Sequence, residues 1–341
     1  MRFVHTADWQ IGRPFRQFGD RDAALRLARL AAIEKIGQLA QREGAAHVLV
    51  AGDVYDTESP QPKTLLEPLE RMRRFPGVTW HLIPGNHDPH RPKGVWDRVR
   101  DAGVPENVRL HLTPEPAPLG DYALRIGLAH GSVQGFGTEG EASNPIAPAR
   151  PERAGLAYLA LGDWHRTVRI GPHLWYAGTP EPDRAGSQEE GQALLVDIAG
   201  PAAPPTVTPH VVGTHQWVDR RVQLADTADL PDMEARLRAL PEPSCAIMRL
   251  RLDGTLPVAG RAALDRCLLG LAAALFHLDV DDAGLLVRPT AADLEAIDFG
   301  GVLRLAAERL KAASDDAAQP ADARRRAEDA LVQLFVRASA G

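Results

Sequence analysis

The chain has 341 residues, of which 44% are hydrophobic and 25% charged, with a formal net charge of −6. That length supports one large domain and a smaller one, each with its own core. The acidic balance excludes a strongly basic nucleic-acid coat but not nucleic-acid binding, because bound metals and local patches add positive charge outside the formal count.

Cys245 and Cys267 have no metal-ligand spacing and form no disulfide framework. Both lie in apolar sequence and read as buried thiols, which fits a reducing cytoplasm. The N-terminus lacks a secretory apolar core. The most apolar later stretch, "CLLGLAAALFHL", is too short to span a bilayer, so a soluble, cytoplasmic protein without membrane association is expected.

The first 200 residues alternate strand and helix signals. "FVHTA" predicts a strand ending at Asp8, and Leu25, Leu30, Ile33, Ile36 and Leu39 give residues 22–43 a helical apolar stripe. "HVLVAG" predicts a buried strand ending at Asp53, then a helix over about 61–74 and a strand "TWHLIP" ending at "GNHD". "ALRIGLAHG" leads to His130, and "AYLALGDWH" to His165; shorter β pieces follow at "LWYAG", "ALLVDI" and "TVTPHVV". "GPAAPPTVTP" (200–209) reads as a Pro-rich connection near the end of this domain. Beyond it, "CAIMRLRLDG" predicts a strand, 259–276 a helix and "GLLVRP" a strand. Two helical segments close the chain, about 299–313 and 322–338, and "ARRR" at 323–326 reads as a solvated helix face. There is no internal repeat and no long heptad array. The expected boundaries are 1–212 for a catalytic domain, 213–292 for a small α+β domain and 293–341 for a helical segment.

Polar residues recur just past strand carboxyl ends, where α/β folds place ligands. Together they are Asp8 and Gln10, Asp53, Asn86 with His87 and Asp88, His130, and Asp163 with His165. Oxygen and imidazole donors from five loops suit hard divalent cations, and a carboxylate such as Asp53 can bridge two of them.

"HTADWQIG", "AGDVYD", "IPGNHD", "LAHG" and "LALGDWH", in that order, resemble the motifs of calcineurin-like binuclear metallophosphoesterases. "HTADW" and the following small domain are most similar to the SbcD-like DNA repair nuclease branch. The resemblance covers about residues 1–215. It implies an α/β fold with a two-sheet sandwich flanked by helices, a small α+β capping domain and a helical C-terminal tail.

The resemblance also implies one ion held by Asp8, position 10, Asp53 and His165, and a second held by Asp53, Asn86, His130 and position 163. His87 would stabilise the transition state or protonate the leaving oxygen, and Asp88 would orient it; the other reading of Asp88 is a cap or turn residue. Asp56 reads as structural. The chain departs from the pattern at Gln10 and Asp163, where the family usually has histidines. Both replacements still offer oxygen, so the site reads as altered and active. The exchange favours Mn²⁺, or Mg²⁺, over Zn²⁺. It also makes the centre one charge less positive, which disfavours phosphomonoester dianions relative to diesters.

Arg13, Arg16, His90 and Arg184 are candidate substrate-phosphate contacts. Trp9, Tyr55 and Trp164 adjoin ligand positions and are expected to wall the site rather than stack bases. His5 and His81 are expected to be packed. The resulting expectation is a Mn²⁺-dependent phosphodiesterase or DNA endonuclease of repair, using a water activated by two ions on single-stranded or looped DNA. The rivals are a small-molecule or cyclic-nucleotide phosphodiesterase and a non-catalytic binding subunit. The resemblance implies an SbcC-like ATPase partner, with a helicase as an alternative, and allows a homodimer.

Overall fold

A computed structural model of the chain describes residues 1–114, 124–136, 144–184, 190–200, 203–287 and 302–338. The chain divides into two compact units, Met1–Trp217 and Val218–Gly341.

The first unit is built on two sheets. Strands β1 (Arg2–Thr6), β2 (His47–Val50), β3 (Thr79–Leu82) and β4 (Val108–Leu110) run parallel side by side, and β9 (Glu190–Asp197) lies antiparallel to β1. The second sheet has the order β5-β6-β8-β7, from β5 (Ile126–His130), β6 (Tyr158–Gly162), β7 (Val168–Gly171) and β8 (Leu174–Tyr176). β5, β6 and β8 are parallel to one another, and β7 is antiparallel to β8. Phe3, Leu49 and Ala51 from the first sheet share a core with Tyr158 and Ala160 from the second. Helices α1 (Asp22–Arg42), α2 (Pro62–Arg73) and α3 (Val95–Ala102) cover the other face of the first sheet through Ile33, Ile36, Leu65, Met72 and Trp96. This is the expected α/β sandwich flanked by helices, with a short helix α4 (Arg150–Ala154) before β6.

Parallel strands must be re-entered from the same end, so their carboxyl ends, and the loops after them, gather on one edge. The loops after β1 and β2 are zipped together: the N–H groups of Asp8, Gln10 and Ile11 donate to the carbonyls of Gly52, Asp53 and Val54.

Strand β10 (Thr206–Leu224) starts inside the stretch expected to be a connection. Pro209 is tolerated because β10 is the outermost strand of the first unit's sheet there, so its missing N–H breaks no further ladder. The strand continues past Trp217 into the second unit. That unit pairs β11 (Ala246–Leu256) and β12 (His277–Val287) in parallel across the crossover helix α6 (Val258–Ala274). Helix α5 (Leu230–Arg238) adds Leu230, Met233 and Leu237 to a core with Met248, Leu250, Leu264 and Leu271. Helices α7 (Val302–Asp315) and α8 (Ala321–Ala338) follow. The expected boundary at 292/293 and the start of the tail helix at 299 lie outside the described residues. Cys245 and Cys267 are half-buried rather than buried. No described helix is long and apolar enough to cross a membrane.

Candidate metal centre

The site begins with backbone that ordinary residues avoid. Asp8, Gln10, Asp53 and Asp163 all have positive φ, and Asp163 reaches 102°. Four such residues at strand ends of one site are a reservoir of strain that surrounding structure must hold in place. Gly52, at φ 87°, gives the turn before Asp53 both that freedom and space: a Cβ there would lie 2.3 Å from His130 Nδ1. Gly85 is needed for close approach, because a Cβ would stand 2.0 Å from Asp53 Oδ1.

Asp8 and Asp53 are buried, and with His130 they offer three ligand atoms within 4.8 Å of one another. His130 Nδ1–H donates to the Ala51 carbonyl at 2.8 Å, which leaves Nε2 as the inward atom. That Nε2 lies 2.7 Å from Asn86 Oδ1, 3.6 Å from Asp53 Oδ1 and 3.8 Å from Asp163 Oδ1. An imidazole lone pair and three oxygens therefore point into one space. Burial pushes the Asp8 carboxyl up to about 6, against the charges of His130 and His165. For His130, burial opposes protonation, but the charges of Asp8 and Asp53 outweigh it and raise the imidazole above its usual range. Buried anions and convergent lone pairs need a cation, so these residues fit a divalent ion. The backbone N–H of Asp163 holds Asp8 at 3.1 Å, and Ser132 Oγ donates to Asp163 Oδ2 at 2.7 Å.

The residues expected around the other ion are arranged differently. Arg13 Nη1 donates to Gln10 Oε1 at 2.6 Å, so the amide nitrogen of Gln10 faces His165 Nε2 at 3.2 Å. The other ring nitrogen, Nδ1, donates to Asp183 Oδ2 at 3.0 Å. Asp183 also meets Arg13 Nη2 at 3.3 Å. Burial opposes ionisation of Asp183, but the hydrogen bond and charge of His165, with Arg13 and Arg29, hold it well below the usual carboxylate range. Among the described residues, no second group of three His, Cys, Asp or Glu donors comes as close together as Asp8, Asp53 and His130. Asp183 and Ser132 were not singled out in the sequence. Asp183 adjoins Arg184 in "YAGTPEPDR", but no local spacing reveals that it reaches back to His165.

His87 sits at the rim with 39% of its side chain exposed. Its N–H donates to Asp53 Oδ1 at 2.9 Å, and its Nε2 is 4.0 Å from Asp53 Oδ2. The partner that orients it differs from the one expected. His87 Nδ1 meets the Asp56 carbonyl at 3.1 Å, whereas both oxygens of Asp88 are taken by backbone N–H groups of Gly85 and Tyr55. Asp88 is a buried tie between two loops, and burial pushes its carboxyl up to about 8 despite those hydrogen bonds.

The remaining candidates fall into place unevenly. Arg13 is in the site. Arg16 and Arg184 are exposed, and His90 is turned to the Leu112 carbonyl and to Asp97 at 3.6 Å. Trp9 and Tyr55 are core residues, with Trp9 Nε1 donating to Thr6 and the Tyr55 hydroxyl to Leu65. Trp164 packs edge-on to Phe136. His5 is buried between the Tyr158 hydroxyl and the Leu161 carbonyl. His81 is half-buried and forms the middle of a ladder with His47 and His111, at 3.1 and 3.0 Å.

Residues 1–148 match the family described as calcineurin-like phosphoesterase. With the two-sheet fold and the strand-end donors, this makes the chain a metallophosphoesterase of the calcineurin-like kind, a metal-dependent hydrolase. It is similar along nearly its whole length to the SbcD component of nuclease SbcCD from Rhodobacter capsulatus: 28% identical over 403 aligned residues, covering 92% of this chain and 94% of that one.

Proposed function

We propose that this chain is a Mn²⁺-dependent phosphodiesterase that cuts DNA, with single-stranded or looped DNA as substrate and DNA repair as its setting. The observation that carries the reading is the convergence of Asp8, Asp53, Asn86, His130 and Asp163 beside a rim histidine. A divalent ion bound there supplies Lewis acidity, activating water and neutralising phosphoryl charge. Four oxygen donors and one imidazole favour Mn²⁺ or Mg²⁺ over softer-site metals. The similarity to a protein named as part of a nuclease supports a polynucleotide substrate.

The chain's own residues supply the rest. The Asp56 carbonyl fixes the His87 Nδ1 proton, leaving Nε2 toward the site. A proton held on Nε2 is placed to pass to the leaving oxygen. Ser132 and the strained backbone at Asp163 hold one carboxylate in position before substrate arrives.

The second unit, with a core of its own, supports a capping role that selects nucleic-acid shape. Helix α7 leaves Val302 82% exposed and Leu303 and Leu305 about half exposed, which supports docking of an SbcC-like ATPase or a helicase on the tail. A homodimer and a cytoplasmic setting complete the proposal.

Matched chromogenic esters test the site chemistry. The diester should be hydrolysed faster than the monoester; stronger monoesterase activity would overturn the reading. Cleavage of a cyclic nucleotide without cleavage of DNA would favour the small-molecule rival, and no hydrolysis with any divalent metal would favour a purely binding role.

A further inference from the structure

The two expected ion positions differ in a way that lone-pair bookkeeping makes plain. Around His130 every inward atom is an acceptor: Nε2 of an imidazole whose proton is spent on the Ala51 carbonyl, Asn86 Oδ1, and carboxylate oxygens of Asp53 and Asp163. Around His165 the acceptors are already matched with donors. Gln10 Oε1 accepts from Arg13 at 2.6 Å, a contact only an oxygen can make with a guanidinium, so the Gln10 amide N–H is what His165 Nε2 meets at 3.2 Å. His165 Nδ1–H donates to Asp183. The lone pair that would bind an ion and the oxygen that would replace the usual histidine are both occupied. The charge is occupied as well. The Arg13 guanidinium lies between Gln10, Asp183 at 3.3 Å and Asp56 at 3.7 Å.

We infer that this enzyme works with one tightly held divalent ion, at Asp8, Asp53, Asn86, His130 and Asp163, and that Arg13, anchored by Gln10, Asp183 and Asp56, takes the place of the second cation. The donor set at the second position does not fit an ion. An arginine fits, because its planar fork serves several acceptors at once and its charge does not depend on pH. Its side chain is 29% exposed, so the guanidinium is open to a phosphate entering the site. The inference rests on the phosphoesterase reading but concerns its machinery: Arg13 is a fixed cation of the reaction centre rather than a loop contact to a distant backbone phosphate.

The test is metal content. Apo-protein is equilibrated with excess Mn²⁺, desalted and assayed for bound metal, and the Mn²⁺ electron paramagnetic resonance spectrum is recorded. The wild type should hold one ion per chain with the spectrum of an isolated Mn²⁺. The Gln10→His/Arg13→Ala double variant, which restores the usual donor and removes the competing cation, should hold two with the spectrum of a spin-coupled pair. Two ions in the wild type would overturn the inference and leave the phosphoesterase reading standing. No ion in the wild type would overturn both. A double variant that is folded by near-ultraviolet circular dichroism and still holds one ion would overturn the assignment of the block to Gln10 and Arg13. Should the double variant not fold, Arg13→Ala alone decides the second point. With Gln10 Oε1 released, weak uptake of a second ion is expected, and unchanged single occupancy would contradict the assignment.

Discussion

At the scale of single residues, the site is a set of precommitted orientations. His130 is held through Nδ1, Asp163 through its own strained backbone and Ser132, and Asp53 by the N–H of His87 and the glycine beside it. His87 is different: it is exposed at the rim and touches the donor group through Asp53 alone. Replacing it with alanine should therefore lower kcat by about 10²–10⁴-fold, the usual range for losing a general acid, with bound metal unchanged by direct assay. Gly85→Ala should do the reverse. The added Cβ collides with Asp53 Oδ1, so metal retention should be lost while circular dichroism still reports the fold. The donors were legible in the sequence because each follows a recognisable strand. Asp183, Ser132 and the Gln10–Arg13 pairing were not, because each depends on a side-chain direction that no spacing encodes. The expected Asp88–His87 partnership failed for a related reason: adjacent residues in a tight loop point apart.

At the scale of elements, parallel strands whose loops share one edge explain why distant motifs meet. The apolar runs that mark buried strands were readable. Short β4, α3 and α5 were not, being too brief to show a period. The same side-by-side register creates a feature outside the site. His47, His81 and His111, on β2, on β3 and just after β4, form a ladder lining a cavity of about 790 Å³. Burial, with the neighbouring His47, His111 and Arg109, lowers His81 to about 4, and burial lowers His5 to about 3. The unfolded chain protonates these rings near 6.5 and the folded chain does not. Their contribution to stability is therefore full above pH 6.5 and is lost as the pH falls toward 4, at no more than ~1.4 kcal/mol per pH unit for each proton. Urea unfolding of the metal-free protein between pH 7.5 and 4.5 should show that loss, and His81→Phe, which keeps a ring in the ladder, should show a shallower one. Equal slopes would remove His81 from the account.

At the scale of the whole molecule, catalysis and selection belong to separate units. The first unit carries all the donors; the second has its own strands, helices and core. With a net charge of −6, DNA must be held by local charge and by the metal centre rather than by a general basic surface. The fold class was legible because motif order and strand periodicity agree. The division between units was less so: β10 runs through the Pro-rich stretch that looked like a linker, and the break falls at Trp217 instead.

The measurement that tests the central claim most directly is incubation of circular single-stranded DNA with the purified full chain and Mn²⁺, alongside Asp53→Ala and His87→Ala. The account predicts that the wild type opens the circle, that chelation of the metal stops it, and that both variants lose it. A circle left intact with every divalent metal tried, or cut equally well by Asp53→Ala, would contradict it.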